Sequence, residues 1–205
     1  FFDGAARNFE LHASNAPVSG TQGNVLCFTE IAGVNKFDEL ANSSHRESGY
    51  PPSTECQWRF SHSGDDVYLI ASHTDHGEII VVSGRQIVTA EKLEILAIVT
   101  RVSWEDGLDA SDVIESVLSS GAIPVLPWGF GKWLGRRGRE VRRLVEQFSS
   151  TSLYLGDNSG RPDVLPGPSI FAWARELGNR ILRGSDPLPF AAECGRAGSF
   201  GFYVK

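Results

Sequence analysis

The chain has 205 residues, 41% of them hydrophobic and 21% charged, enough for one well-filled core and unlike a disordered polymer. A net charge of -6 and a pI near 5.4 argue against a protein built to grip a polyanion, because such binding draws on many exposed Lys and Arg. No run of about 18 apolar residues is present to span a bilayer, and Phe1-Phe2-Asp3-Gly4 lacks the basic-then-apolar order of a secretory leader. The expectation is a single cytoplasmic domain over 1–205, with neither nucleic acid nor membrane as partner.

In chain order, segments 25–29, 67–72, 78–82, 86–89 and 93–99 are rich in branched residues and read as strands. Between the first two, 42–56 reads as a polar loop; its Asn42-Ser43-Ser44 matches a glycosylation acceptor, a triplet that is common by chance. Cys27, Cys56 and Cys194 lie far apart without paired spacing, which suggests buried thiols rather than a zinc knuckle or a disulfide framework. All five histidines, His12, His45, His62, His73 and His76, precede residue 77. The run His73-Thr74-Asp75-His76 carries metal-ligand types but also suits an exposed turn, which is the favoured reading.

The second half repeats one grammar of helix, glycine or polar turn, short apolar strand and polar loop. Asp109 caps a helix with Val113, Ile114, Val117 and Leu118 on one face, Gly121 ends it, and 122–126 is a buried strand leading into Pro127-Trp128-Gly129-Phe130-Gly131-Lys132-Trp133. The next helix carries Val141, Leu144, Val145 and Phe148, followed by the strand 152–155 and the loop Gly156-Asp157-Asn158-Ser159-Gly160-Arg161. A third starts near Pro168 with Ile170, Phe171, Trp173, Ala174 and Leu177 inward. The strand 180–182 and the loop Gly184-Ser185-Asp186-Pro187 follow it. Residues 199–204 read as a closing strand. Strand-helix units of this length need crossovers, so the strands should be parallel. The expected fold is a parallel β/α barrel of the TIM type with about seven strands, an open doubly wound sheet being the alternative.

Loops that follow parallel strands converge on one face, where ligands bind. That places Trp128, Lys132, Trp133, Asp157, Asn158, Arg161 and Asp186 together, a mixture of cations, carboxylates and aromatic walls. The glycines among them also serve tight turns, and Gly129-Phe130-Gly131-Lys132 lacks the remaining positions of a nucleotide phosphate loop. The run Arg136, Arg137, Arg139, Arg142 and Arg143 reads mainly as the wet face of its helix, paired with Glu140 and Glu146.

The order of segments resembles the PHP superfamily, the polymerase and histidinol phosphatase barrels. Leu11-His12-Ala13-Ser14 is similar to that family's opening His-x-His strand without its second histidine, and Phe28-Thr29-Glu30-Ile31 stands where it has Thr-Asp-His. Val82-Ser83-Gly84-Arg85-Gln86 resembles its Gly-x-Glu strand with Gln86 for the carboxylate, and Leu93-Glu94-Ile95-Leu96 the strand after it. Trp128 occupies the histidine place of Ala-His-Pro, and Gly184-Ser185-Asp186-Pro187-Leu188 resembles Gly-Ser-Asp-x-His with Leu188 for the last ligand. The resemblance implies a metal-dependent phosphoesterase ancestry in which His12, Glu30 and Asp186 are the surviving metal ligands. Gln, Trp and Leu cannot supply the anionic oxygens or imidazoles of a trinuclear site, so one divalent metal (Zn, Mn or Mg) or none is expected.

Two functions follow. The first is a hydrolase of an anionic small molecule, with Asp186 and His12 holding a cation or acting as acid and base while Lys132 and Arg161 neutralise the substrate. The second is a non-catalytic binding protein for a sugar or anionic ligand, using Arg85, Gln86, Trp128, Lys132, Trp133, Asp157, Asn158 and Arg161.

Overall fold

The computed structural model describes residues 1–14, 23–44, 58–62, 64–129, 131–148, 153–158, 168–187 and 191–203. In the first half, α1 (Phe2–Ala13), β1 (Asn24–Cys27), α2 (Lys36–Ser44), β2 (Arg59–His62), β3 (Tyr68–His73) and β4 (Gly77–Val82) build a four-stranded sheet of order β1-β4-β3-β2. In the second, β5 (Gly84–Val88), β6 (Glu94–Ile98), α3 (Ala110–Ser119), β7 (Ile123–Pro127), α4 (Gly135–Gln147), β8 (Tyr154–Asp157), α5 (Ser169–Glu176) and β9 (Ile181–Arg183) build a five-stranded sheet in sequence order. A 3₁₀ segment, Ala191–Arg196, packs near α1.

The expected parallel barrel is overturned by these two mixed sheets. In the first, only β1 on β4 is parallel; in the second, β5, β6 and β7 alternate in direction, and only β7-β8-β9 run together. The reason lies in the connections. Three residues join β3 to β4 and five join β5 to β6, far short of the dozen or so that a parallel crossover needs. Helices α4 and α5 supply such crossovers, and there the strands are parallel.

Each sheet buries one face. Leu69 and Ala71 of β3 stand opposite Val81 and Ile79 of β4, under Ala5 and Ala6 of α1 and Phe37 and Ala41 of α2. In the other sheet Ile87 faces Ile95 and Leu126 faces Leu155, covered by Val113, Ile114 and Val117 of α3, Val141 and Leu144 of α4, and Phe171 and Ala174 of α5. The period-2 strand pattern and the period-3.6 helix stripes meet in one layer of side chains. The α3 start is set by Asp109, whose carboxylate accepts the Ser111 amide at 2.8 Å; that bond holds its pKa below the ordinary value.

The sheets share a seam, since β4 continues into β5 through Ser83. The Ser83 amide donates to the Val67 carbonyl at 2.8 Å, its carbonyl accepts from Val99 and Thr100, and its hydroxyl donates to the Thr100 carbonyl. At the adjoining Gly84 a Cβ would stand 2.7 Å from the carbonyl oxygens of Ala97 and Phe28, so only glycine lets three strands approach there. Val99 leaves β6 with φ 64°, an unusual conformation for a β-branched residue, held by its bond to Ser83.

Three expectations differ at shorter range. Residues 11–13, matched above to a strand, form the last turn of α1. Residues 199–203 are irregular rather than a closing strand. The triplet Asn42-Ser43-Ser44 ends α2, while most of the predicted polar loop lies outside the described residues. Residues 74–76 are the hairpin turn, as favoured, but His73 ends β3 and is buried rather than exposed: the Asp75 amide donates to His73 Nδ1 at 3.0 Å, and the His73 ring packs on Trp58 with centroids 5.0 Å apart. Among the described residues no helix is long and apolar enough to cross a membrane.

The Trp58 indole donates to Asp3 Oδ1 at 2.7 Å, which holds that carboxyl below its usual 3.8, with the charges of His73 and His76 adding a smaller pull. A depressed carboxylate pKa stabilises the fold above the unfolded value, and the contribution is lost as pH falls through the folded one. Asp3→Asn is therefore expected to lower the melting temperature at pH 7 and to flatten the acid limb below about pH 4, read by thermal melts across pH.

Candidate functional site at the ends of the parallel strands

Parallel pairing puts Pro127 opposite Gly156 and Asp157 opposite Arg183, so the segments after β7, β8 and β9 leave the sheet at one rim. The Trp128 amide donates to the Gly156 carbonyl at 2.7 Å and the Gly184 amide to the Asp157 carbonyl at 3.0 Å, extending both ladders into the loops. Asp157 itself is buried, 3% exposed. Across the two strand ends the Asn158 amide donates to Asp186 Oδ2 at 3.1 Å. Asp186 is exposed, with φ 39°, a left-handed conformation that Asp tolerates better than most residues.

Lys132 joins this rim from the β7–α4 loop. Its amide donates to the Gly129 carbonyl, and its ammonium reaches Glu94 Oε1 at 2.6 Å. Its aliphatic stem lies over Gly129, where a Cβ would come within 2.5 Å of it. Glu94 was not singled out from the sequence. The hairpin places it opposite Val88, and because β6 runs against its neighbours, its first residue meets their last ones. The short 89–93 connection was the signal that could have found it.

Trp128 is half-buried against the core of the five-stranded sheet, and Trp133 meets Phe171 edge-on at 6.0 Å; Trp133 thereby wedges the loop against α5. Arg161 lies outside the described residues. Among the arginines of α4, Arg143 bonds Glu140, Gln147 and Ser111, and Arg142 lies over Trp173 at 5.1 Å, so these two serve packing between helices.

The remaining candidates stand elsewhere. Glu30 bridges to Arg85 on the outer edge of β5; its Oε1 accepts the Phe37 amide at 3.1 Å, in the first turn of α2, and its Oε2 meets Arg85 Nη1 at 3.3 Å. Arg85 also donates to the Val34 carbonyl at 2.9 Å. Gln86 is beside them. β5 and β9 are opposite edges of the sheet, four strand spacings apart, roughly 19 Å along it. His12, exposed at the end of α1, bonds the Ser199 carbonyl through Nε2 at 3.0 Å. Its link to the Asp186 loop is indirect, since Gly198, next to Ser199, donates its amide to Ser185 Oγ at 3.1 Å.

His12, Glu30 and Asp186 are thus not drawn into one donor set, and among the described residues no three His, Cys, Asp or Glu side chains are grouped to hold a metal. The site implied by the resemblance does not fit these positions. The rim offers instead a buried and an exposed carboxylate, Asp157 and Asp186, with an amide and a paired ammonium. Comparisons with protein families, curated proteins and solved structures found no significant match.

The Lys132–Glu94 pair has side chains 46% and 27% exposed, so solvent screens it. Glu94→Gln is expected to cost less than about 1 kcal/mol in urea unfolding. A larger loss would mean that the pair holds the loop rather than ornaments it.

Proposed function

We propose that the rim after β7, β8 and β9 binds an anionic small molecule, and that the chain is a hydrolase of the phosphoesterase type acting there. The observation that carries this reading is the hydrogen bond of Asn158 to Asp186; Asp157, buried, ends β8, and Asp186 follows the end of the adjacent parallel strand β9. A hard divalent cation such as Mg²⁺ is commonly held by one or two carboxylates together with a substrate phosphate, without an all-protein cage. Bound there, it would polarise a phosphoryl oxygen. The protein's own part is to orient Asp186 through Asn158 and to offer the Lys132 ammonium to the ligand's negative charge. Free Cys27 supports the cytoplasm as its compartment.

A second reading, binding without turnover, is favoured by one feature: Lys132 is already neutralised by Glu94, and every histidine of the chain lies before residue 77, so the described rim carries no imidazole for proton transfer. Hydrolysis of a phosphoester panel with added Mg²⁺ or Mn²⁺ decides between them. The hydrolase reading expects turnover that Asp186→Asn lowers at least a hundredfold while folding is kept. Stabilisation by inorganic phosphate plus Mn²⁺ without turnover would select the binding reading; neither effect would remove the rim as a site.

A further inference from the structure

At the opposite edge of the five-stranded sheet lies a cleft of about 130 Å³ among Glu30, Asn35, Arg85, Gln86, Ser103 and Trp104. Among the described residues the outer edge of β5 is paired except at the Gln86 carbonyl. Glu30 donates its amide to the Gly84 carbonyl and accepts the Gln86 amide, and Gly107 donates to the Val88 carbonyl. The next rung, from the Ala32 amide to the Gln86 carbonyl, is missing among the described residues, because the chain turns away: the Val34 amide bonds the Ile31 carbonyl, with Gly33 at φ 80°.

The charges in the cleft cancel. Arg85 is matched by Glu30, and Asp38, 4.0 Å from Arg85, is matched by Arg101 at 2.9 Å, so a charged ligand would have to break a largely buried pair. The neutral groups behave differently. Among the described residues the side chains of Asn35, Gln86 and Ser103 have no hydrogen-bond partner, though Gln86 is half-buried. Trp104, the aromatic wall, is fixed by its Nε1–H donating to Ser116 Oγ at 2.8 Å.

Open amides and a hydroxyl beside a rigid indole, around a neutral floor with room for one ring, match a polyhydroxylated ring. We propose that this cleft is a binding site for a single uncharged pyranose, separate from the rim and independent of the reaction proposed there.

The test is a two-dimensional NMR titration of the ¹⁵N-labelled chain with D-glucose, D-galactose and D-mannose. It follows the Trp104 indole N–H, identified by its loss in Trp104→Phe, and the Gln86 side-chain amide. At least one sugar is expected to move both signals saturably. Gln86→Ala should weaken that sugar about five- to tenfold, the effect of one or two net hydrogen bonds, with the remaining spectrum reporting an intact fold. The proposal is overturned if no sugar moves these signals, if Gln86→Ala binds as well as the original chain, or if inorganic phosphate moves them as strongly as a sugar does.

Discussion

Two parallel ladders, β7 on β8 and β8 on β9, govern where the chemistry of this chain can stand. A strand end fixes its loop to within a residue or two, and two adjacent parallel ends hold Asn158 and Asp186 within hydrogen-bond distance although 28 residues separate them. Those ladders depend in turn on α4 and α5. Val141, Leu144, Phe171 and Ala174 are buried on the same side as Leu126 and Leu155, and burial of that apolar surface drives the crossovers back onto the sheet.

The two ends of the second sheet differ in their electrostatics. Among the described residues the rim beyond β9 presents the exposed carboxylate of Asp186, bonded by Asn158, and the Lys132 ammonium already paired with Glu94. The cleft beside β5 closes its charges on one another, and the Glu30 carboxylate serves there as a cap for α2 as well as a partner for Arg85. A residue that looks like a metal ligand in the sequence can thus be held by an amide and a guanidinium, with little freedom to coordinate anything else.

The second half was legible because each of its helices has an apolar stripe and a stop signal, as with Asp109 and Gly121 around α3, and each strand behind it is short and apolar. The first half was less so. α1 carries its buried residues as Gly4, Ala5 and Ala6, which give a weak hydrophobic period, and α2 buries chiefly Phe37 and Ala41. Strand direction departs from a parallel barrel where the connections are short: three and five residues make hairpins whatever the strands contain. The meeting of Asn158 with Asp186 was readable, since it needs only parallel neighbours. The separation of Glu30, Arg85 and Gln86 from them was not, because it follows from the insertion of β6 and from the open edge of β5, neither of which leaves a residue pattern.

The gathering of strand ends is most directly tested by cross-linking. In a chain whose three cysteines are replaced by serine, Asn158→Cys and Asp186→Cys are introduced together and treated with dibromobimane, which fluoresces once it joins two neighbouring thiols. Parallel β8 and β9 predict strong fluorescence from the intact monomer, lost on unfolding before treatment. No signal from the folded chain, while each single variant proves reactive to a monofunctional thiol reagent, would contradict the arrangement on which the rim rests.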